Sequence, residues 1–367
     1  MKVEILKEKI KWAVSSADKV TGKNLSLPAL AYVSLEAKGR ELVVRATNLD
    51  VGLRINLPAK VEEEGQVMVS GSVMANFLSS LYHQDKVELT TVTNTLTVAT
   101  ANTTSVLKTY PTDDFPTIPE IADGYTLVIP AAQLVAGLRS VIYAASFSDI
   151  KPEIASVYLY GAGDELVFVA TDSFRLAERR LRLKSKLTEE PKLIIPIKNS
   201  TELVRIFEGV EDEVTITYNG HQVAFATDQI YLTSRLVEGV FPDYRQIMPT
   251  SYATEVIMLK NDLLNTLKLS TIFSDKLNQI TVRAAVKDKI FEITSRNTDV
   301  GESTSRVSAT LSGDEVEISF NVRYLLDSLS SIAPESLRMA FNGKQRPIVI
   351  RGEGDNSFTY LIILLNS

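Results

Sequence analysis

The chain has 367 residues, a formal charge of −6, one Trp and no Cys. At roughly 100–200 residues per domain, this length predicts two or three domains with substantial cores, and the missing Cys excludes disulfides, thiolate chemistry and Cys-based zinc sites. Net acidity does not exclude nucleic acid, because phosphate binding depends on local Lys and Arg that a global count does not see.

The opening MKVEILKEKIKW spreads charge through its first residues, which is not the unbroken apolar core of a signal peptide. A helical pattern follows over 6–17, with Ile10 and Val14 spaced i, i+4 on an apolar face. ELVVRATNLDVG then alternates apolar and polar residues like a strand and runs into an Asn/Asp turn. A second helix is predicted over 73–82, around Phe77 and Leu81, followed by the strand KVELTT. The order begins again after DDFPTIP and the turn-rich IPEIADGY. A helix over 131–145 carries Leu134 and Leu138, ELVFVATDSFRL is the strand and turn, and a helix over 198–207 precedes EVTITY. After GVFPDYRQIMP a third pass has a helix over 260–273 with Leu263 and Leu267, IFEITSRNTDVG, a helix over 321–332 with Leu325 and Leu329, and SLRMAF.

These elements repeat at a fixed period. Ala46-Thr47 recurs at Ala170-Thr171, 124 residues on, and Asn48, Asp50, Val51 and Gly52 recur at Asn297, Asp299, Val300 and Gly301, 249 residues on. Phe115-Pro116 maps to Phe241-Pro242 at a spacing of 126. Self-similarity at one period marks a repeat architecture. The expected domains are 1–122, 123–249 and 250–367, each α+β with two helices and two short antiparallel meanders. YLIILL near the C-terminus is far shorter than the ~20 residues that span a bilayer, so the protein is expected to be cytoplasmic.

Catalytic signals are weak. His83 and His221 are the only histidines, and neither has metal-ligand spacing or a nearby nucleophile and orienting group. The glycines are scattered singly, without a phosphate-cradling loop. Asp113-Asp114 reads as a solvated turn, and Thr171-Asp172-Ser173 lacks a general base. No cofactor, metal or catalytic residue is expected. The competing class is a hydrolase built on repeated α+β domains.

ATDSFRLAERR and LVEGVFPDYRQIMP resemble the two central signatures of the bacterial DNA polymerase III beta sliding clamps, with LPALAYVSLEA and FNVRYLLDSL in support. The resemblance runs the length of the chain. It departs from the family at Phe174, where His is common, at Gln246, where Arg is common in some members, and at the C-terminus, which lacks the usual Pro. It implies three similar domains of the DNA-clamp fold, assembling as a head-to-tail homodimeric ring with helices inward and sheets outward. The implied partners are double-stranded DNA without sequence preference, the DNA polymerase III alpha subunit, the clamp loader, and other DNA polymerases, mismatch-repair and ligase-type proteins carrying clamp-binding motifs. A clamp serving a phage or plasmid polymerase is an alternative.

Matched positions imply a partner-peptide cleft from Ile154 on the strand before the first signature, Thr171, Ser173, Phe174, Arg175, Leu176, Pro242, Gln246, Ile247 and Leu361, Ile362, Ile363, Leu364 and Leu365. Leu176, Ile154, Ile247, Ile363 and Leu364 are expected as apolar walls, with Arg175 and the Thr171 hydroxyl meeting the peptide. Read without the family, Leu176, Ile154 and Ile247 are core residues first, the terminal strand is an ordinary last strand, and Arg175 is the partner of Asp172 or Glu178. DNA contacts are implied at Lys23, Asn24, Ser72 and Ser148, with the helix residues Lys198 and Arg205. A dimer contact is implied from Phe77, Leu81 and Leu107 to Ile272 and Phe273 of a second copy. A ring lined by helices requires those helices to be basic. The six predicted helices carry nine basic residues (Lys7, Lys9, Lys11, Arg139, Lys198, Arg205, Lys260, Lys268, Arg323) against four acids (Glu8, Glu202, Asp262, Asp327). Their net +5 leaves −11 on the remainder, the separation a DNA-encircling ring needs.

Overall fold

The computed structural model describes residues 1–22, 27–82, 85–112, 114–343 and 346–364. Among them are six α-helices: α1 (Lys7–Val20), α2 (Gly71–Ser80), α3 (Ala131–Val141), α4 (Ile197–Phe207), α5 (Lys260–Ile272) and α6 (Val322–Leu329). Each falls where the periodicity predicts, with ends shifted by a few residues. The segment predicted as one helix over 131–145 ends as α-helix at Val141 and tightens into a 3-10 turn at Ile142–Ala144.

Helical spacing of apolar residues drives these elements. Ile10, Ala13, Val14 and Ala17 form the buried stripe of α1, and Leu263 and Leu267 that of α5. Ser70 caps α2 through an acceptor bond from Val73 N, and Asn321 caps α6 by accepting from Arg323 N at 2.9 Å, satisfying donors the helix start leaves open.

The chain divides into two compact units that cut across the repeats. One holds Met1–Leu134 and Thr201–Leu236; the other holds Val135–Ser200 and Val237–Ser367. In the first unit α1 packs on α2, and all strands join one 13-stranded antiparallel sheet. Its centre is the pairing of Val51–Pro58, from the first repeat, with Ile230–Arg235, from the second. In the second unit α5 packs on α6. A nine-stranded sheet there is joined by Arg175–Arg182, from the second repeat, against Phe358–Ile362, from the third. A separate four-stranded sheet ends at Gly301–Val307.

The two joints are equivalent. The strand after the Asn/Asp turn of one repeat takes the last strand of the next, so each repeat covers a sheet edge that its neighbour would otherwise leave open. Two strands that the rule would pair are not joined this way within the chain. Gly301–Val307 follows the third turn and is an end strand. Thr104–Tyr110, the last strand of the first repeat, pairs fully with Thr95–Ala99, but on its other side only Thr109 and Tyr110 meet a neighbour. Its residues alternate between exposed and half-buried, where Phe358–Ile362 is buried throughout.

Candidate functional site

The first signature folds into a tight turn feeding the second joint. Asp172 Oδ1 accepts from Phe174 N and Arg175 N, both at 2.9 Å. Thr171 Oγ1 donates to Arg175 O at 2.7 Å and accepts from Ser173 N at 3.2 Å. These bonds hold Ser173 at φ 76°, a left-handed conformation that costs a non-glycine residue energy. Beyond the turn, Arg175 and Leu176 pair with Ile362 and Leu361, and Ile363 N donates to Phe174 O at 2.8 Å. Leu176 and Leu361 lie in one buried cluster with Tyr160, Phe241 and Tyr244, against which Val237 and Met248 pack. The segment carrying Pro242, Gln246 and Ile247 is thereby seated beside the turn.

Several expected roles are corrected. Leu176, expected as a wall, is fully buried beside Leu361 in the cluster beneath the turn, and Ile362 is buried on the opposite face of its strand. The Thr171 hydroxyl is buried and spends both its bonds within the turn. Arg175 is only 7 % exposed and also faces inward. Its Nε donates to Asp172 at 2.9 Å and its Nη1 to Asp327 of α6 at 2.5 Å, while the guanidinium stacks 4.9 Å above the Tyr324 ring. The acids it pairs with are Asp172 and Asp327; Glu178 pairs elsewhere. Ile154 lies in a turn before the strand Ser156–Ala162, where its carbonyl accepts from Ser146 N. Leu365 lies outside the described residues.

Phe174, Ile363, Leu364, Pro242, Gln246 and Ile247 remain on the surface. Phe174 is 44 % exposed and Ile247 40 %; Ile363 and Leu364 are half-buried. Val240, beside Phe241, is more exposed still at 86 % and was not singled out by sequence, because a lone apolar residue next to a Phe-Pro pair reads as core.

The first joint is an internal control. Asn48 Oδ1 accepts from Asp50 N at 3.0 Å and Val51 N at 2.8 Å, Thr47 Oγ1 donates to Val51 O at 2.8 Å, and Leu49 has φ 76°. Arg235 N donates to Asp50 O at 2.8 Å, reproducing the bond from Ile363 to Phe174. On this shared frame the side chains differ. Asp50 stands at the position of Phe174, Arg235 at that of Ile363, Glu120 at that of Gln246 and Gly52 at that of Leu176. Ile118 fills the space over Gly52; a Cβ there would lie 2.7 Å from its Cγ2. The frame therefore works with polar residues at the surface and a plug in its pocket. Phe174 is exposed and Ile363 half-buried at positions where the first joint carries Asp50 and Arg235, so the frame does not need apolar side chains there.

The residues implied for DNA lie on several separate elements. Lys23 and Asn24 lie outside the described residues. Ser72 is exposed on α2, its hydroxyl 3.2 Å from that of Ser70. Ser148 is exposed in the loop after Ala144. Lys198 pairs with Asp149 at 3.2 Å, and Arg205 with Glu202 at 2.8 Å. Burial raises the pKa of the Glu202 carboxyl against the opposing pull of Arg205. The Lys198–Asp149 pair is exposed on both sides, and such pairs contribute roughly 0–1 kcal/mol. As observed, α1 extends to include Asp18 and Lys19, which leaves the net helix charge at +5. Two of these cations are committed to the fold. Lys7 Nζ donates to Leu81 O at 3.0 Å and Lys260 Nζ to Ile332 O at 2.6 Å, each bonding carbonyls left open just past the end of α2 or α6.

For the implied dimer contact, Phe77 is half-buried on α2 and Leu81 is buried just past it; Leu107 is half-buried on Thr104–Tyr110. Ile272, at the end of α5, is 64 % exposed, and Phe273 is half-buried. Among the described residues no cluster of His, Asp or Glu is arranged to hold a metal, and no helix is long and apolar enough to cross a membrane.

Comparison with known proteins matches the chain to three consecutive family domains: DNA polymerase III beta subunit N-terminal domain over 1–119, central domain over 128–243 and C-terminal domain over 245–366. The beta sliding clamps of Staphylococcus aureus strain Mu50 and of Staphylococcus epidermidis are each 25 % identical to it, with 94 % of both chains covered. The solved DNA polymerase III beta subunit of Thermotoga maritima superposes with a TM-score of 0.93 at 24 % identity, covering 100 % of this chain and 99 % of that one. A sliding clamp from Pseudomonas aeruginosa, solved bound to griselimycin, gives a TM-score of 0.93 at 25 % identity over 100 % of both. Matched along almost its whole length by that family's three domains in order, the chain belongs to the DNA polymerase III beta subunit family.

Proposed function

We propose that two copies of this chain close head to tail into a ring around duplex DNA and tether the replicative polymerase to it. The protein is a processivity factor and not an enzyme. The observation that carries this reading is the unfinished joint. Two of three equivalent strand pairings are made inside the chain, which leaves Gly301–Val307 and Thr104–Tyr110 as complementary edges for a second copy. A heterologous contact that closes on itself gives a ring instead of a filament. Phe77, Leu81 and Leu107 would then pack against Ile272 and Phe273 of the other copy. The domains are 1–122, 123–249 and 250–367.

DNA would be held by the net positive helices, with Lys198, Arg205 and Ser72 among their residues, together with Ser148, Lys23 and Asn24, without reading bases, so that the ring slides. The groove beside the second joint would take a short peptide from the DNA polymerase III alpha subunit, the clamp loader, or other polymerases, mismatch-repair and ligase-type proteins, in the cytoplasm. Phe174, Ile247, Ile363 and Leu364 supply its apolar surface, with Pro242 and Gln246 on the facing segment. Titrating a synthetic peptide bearing the clamp-binding segment of the alpha subunit tests the groove. Wild type should bind it, and Phe174→Ala with Ile363→Ala should weaken it at least tenfold. A folded double variant that binds normally would reject the assignment.

A further inference from the structure

The exposed wall of the groove rests on a buried polar cluster that the frame itself does not require. Glu178, on the strand Arg175–Arg182, is 3 % exposed. Its carboxylate accepts from Arg180 Nε at 2.8 Å and from the phenol of Tyr244. The Tyr244 hydroxyl also lies 2.8 Å from that of Tyr160, and Arg245 stacks 4.9 Å above the Tyr160 ring. Tyr244 opens the 3-10 turn Tyr244–Ile247, so this one side chain ties the segment bearing Pro242, Gln246 and Ile247 to the sheet beneath.

Burying a carboxylate is costly, and well-packed apolar residues of similar volume often stabilise as well or better. The first joint shows such an alternative. At the repeat position of Tyr244 stands Ile118, plugging the space over Gly52, and at that of Glu178 stands Arg54. Arg54 pairs at 2.5 Å with the exposed Glu120. The joint without an apolar groove uses a plug and a surface ion pair; the joint with a groove uses a directional buried hydrogen bond. We propose that Glu178 and Tyr244 are positioning residues for the partner groove, fixing the turn that presents Gln246 and Ile247 while touching no peptide themselves. This inference rests on the groove reading above.

The experiment uses the full chain, the same alpha-subunit peptide, and the variants Tyr244→Phe, Ile247→Ala and both together. Loss of the phenol's buried hydrogen bonds to Glu178 and Tyr160 should weaken the peptide by about fivefold in Tyr244→Phe. In the Ile247→Ala background the same change should cost less than about twofold, because residues acting through one another are not additive. Glu178→Gln keeps an acceptor for the phenol and should bind close to wild type, whereas Glu178→Leu, which removes it, should show the same loss as Tyr244→Phe and takes its place if that variant does not fold. Unchanged affinity in Tyr244→Phe, or an equal loss in both backgrounds, overturns the proposal. A wild-type chain that does not bind the peptide at all would instead sink the groove reading.

Discussion

Replacing Arg175 by Ala separates an internal anchor from a peptide contact. The guanidinium makes charge-assisted bonds to Asp172 and Asp327 and covers the Tyr324 ring, with its side chain 9 % exposed. Removing one partner of a buried ion pair costs about 3–5 kcal/mol. Asp327 is 44 % exposed here, and Asp172 keeps its two backbone donors, so solvent and the turn recover part of that. We expect about 2–3 kcal/mol. For a cooperative unit of 150–250 residues that corresponds to a fall of roughly 4–12 °C in the melting transition. Differential scanning calorimetry of the full chain reads it, with Arg175→Lys, which keeps the charge but loses the planar fork, falling between. A melting transition within about 1 °C of wild type, combined with lost peptide affinity, would refute the internal role and restore Arg175 as a groove contact.

Burial drives the phenols of Tyr143, Tyr244 and Tyr360 well above their usual range, with the Glu178 carboxylate adding to the shift of Tyr244. Their neutral forms therefore contribute stability that is fully present below the unfolded pKa of about 10 and is lost as pH rises above it. Absorbance at 295 nm should show these rings ionising only as circular dichroism reports unfolding; ionisation of all 13 tyrosines in a folded protein would contradict this. Changing Ile272 to Ala and Phe273 to Asp should give monomers in sedimentation velocity, and a retained dimer would count against the proposed contact. Lys198→Ala with Arg205→Ala should reduce the salt dependence of DNA association by about two units of slope, since each cation releases roughly one counterion; an unchanged slope would remove both from the DNA surface.

The repeats, all six helices and the location of the two signature turns were legible because each depends on local pattern: i, i+4 apolar pairs, alternating strands, an Asn or Asp bonding its own next residues. The joints were not legible. Leu176 with Leu361 and Leu53 with Leu232 are strand partners between repeats, and nothing local in either strand names its mate. The inward turn of Arg175 escaped for the same reason: Asp327 lies 152 residues away in sequence. Ile154 was placed on a strand although Pro152 stands just before it; the chain bends there and the strand starts only at Ser156. The Glu178–Tyr244 pair did leave a trace. In RLAERR an acid sits within a strand whose neighbours Leu176 and Ala177 are core, and a charge so placed requires a buried partner.

The most direct test follows the protein on DNA after the clamp loader has placed it on a nicked circle. It should stay with the circle through gel filtration at salt high enough to break ordinary charge contacts, then be released when one restriction cut makes the circle linear. Loss from the intact circle under those conditions, or retention on the linear product with free ends, would contradict a molecule that holds DNA by enclosing it.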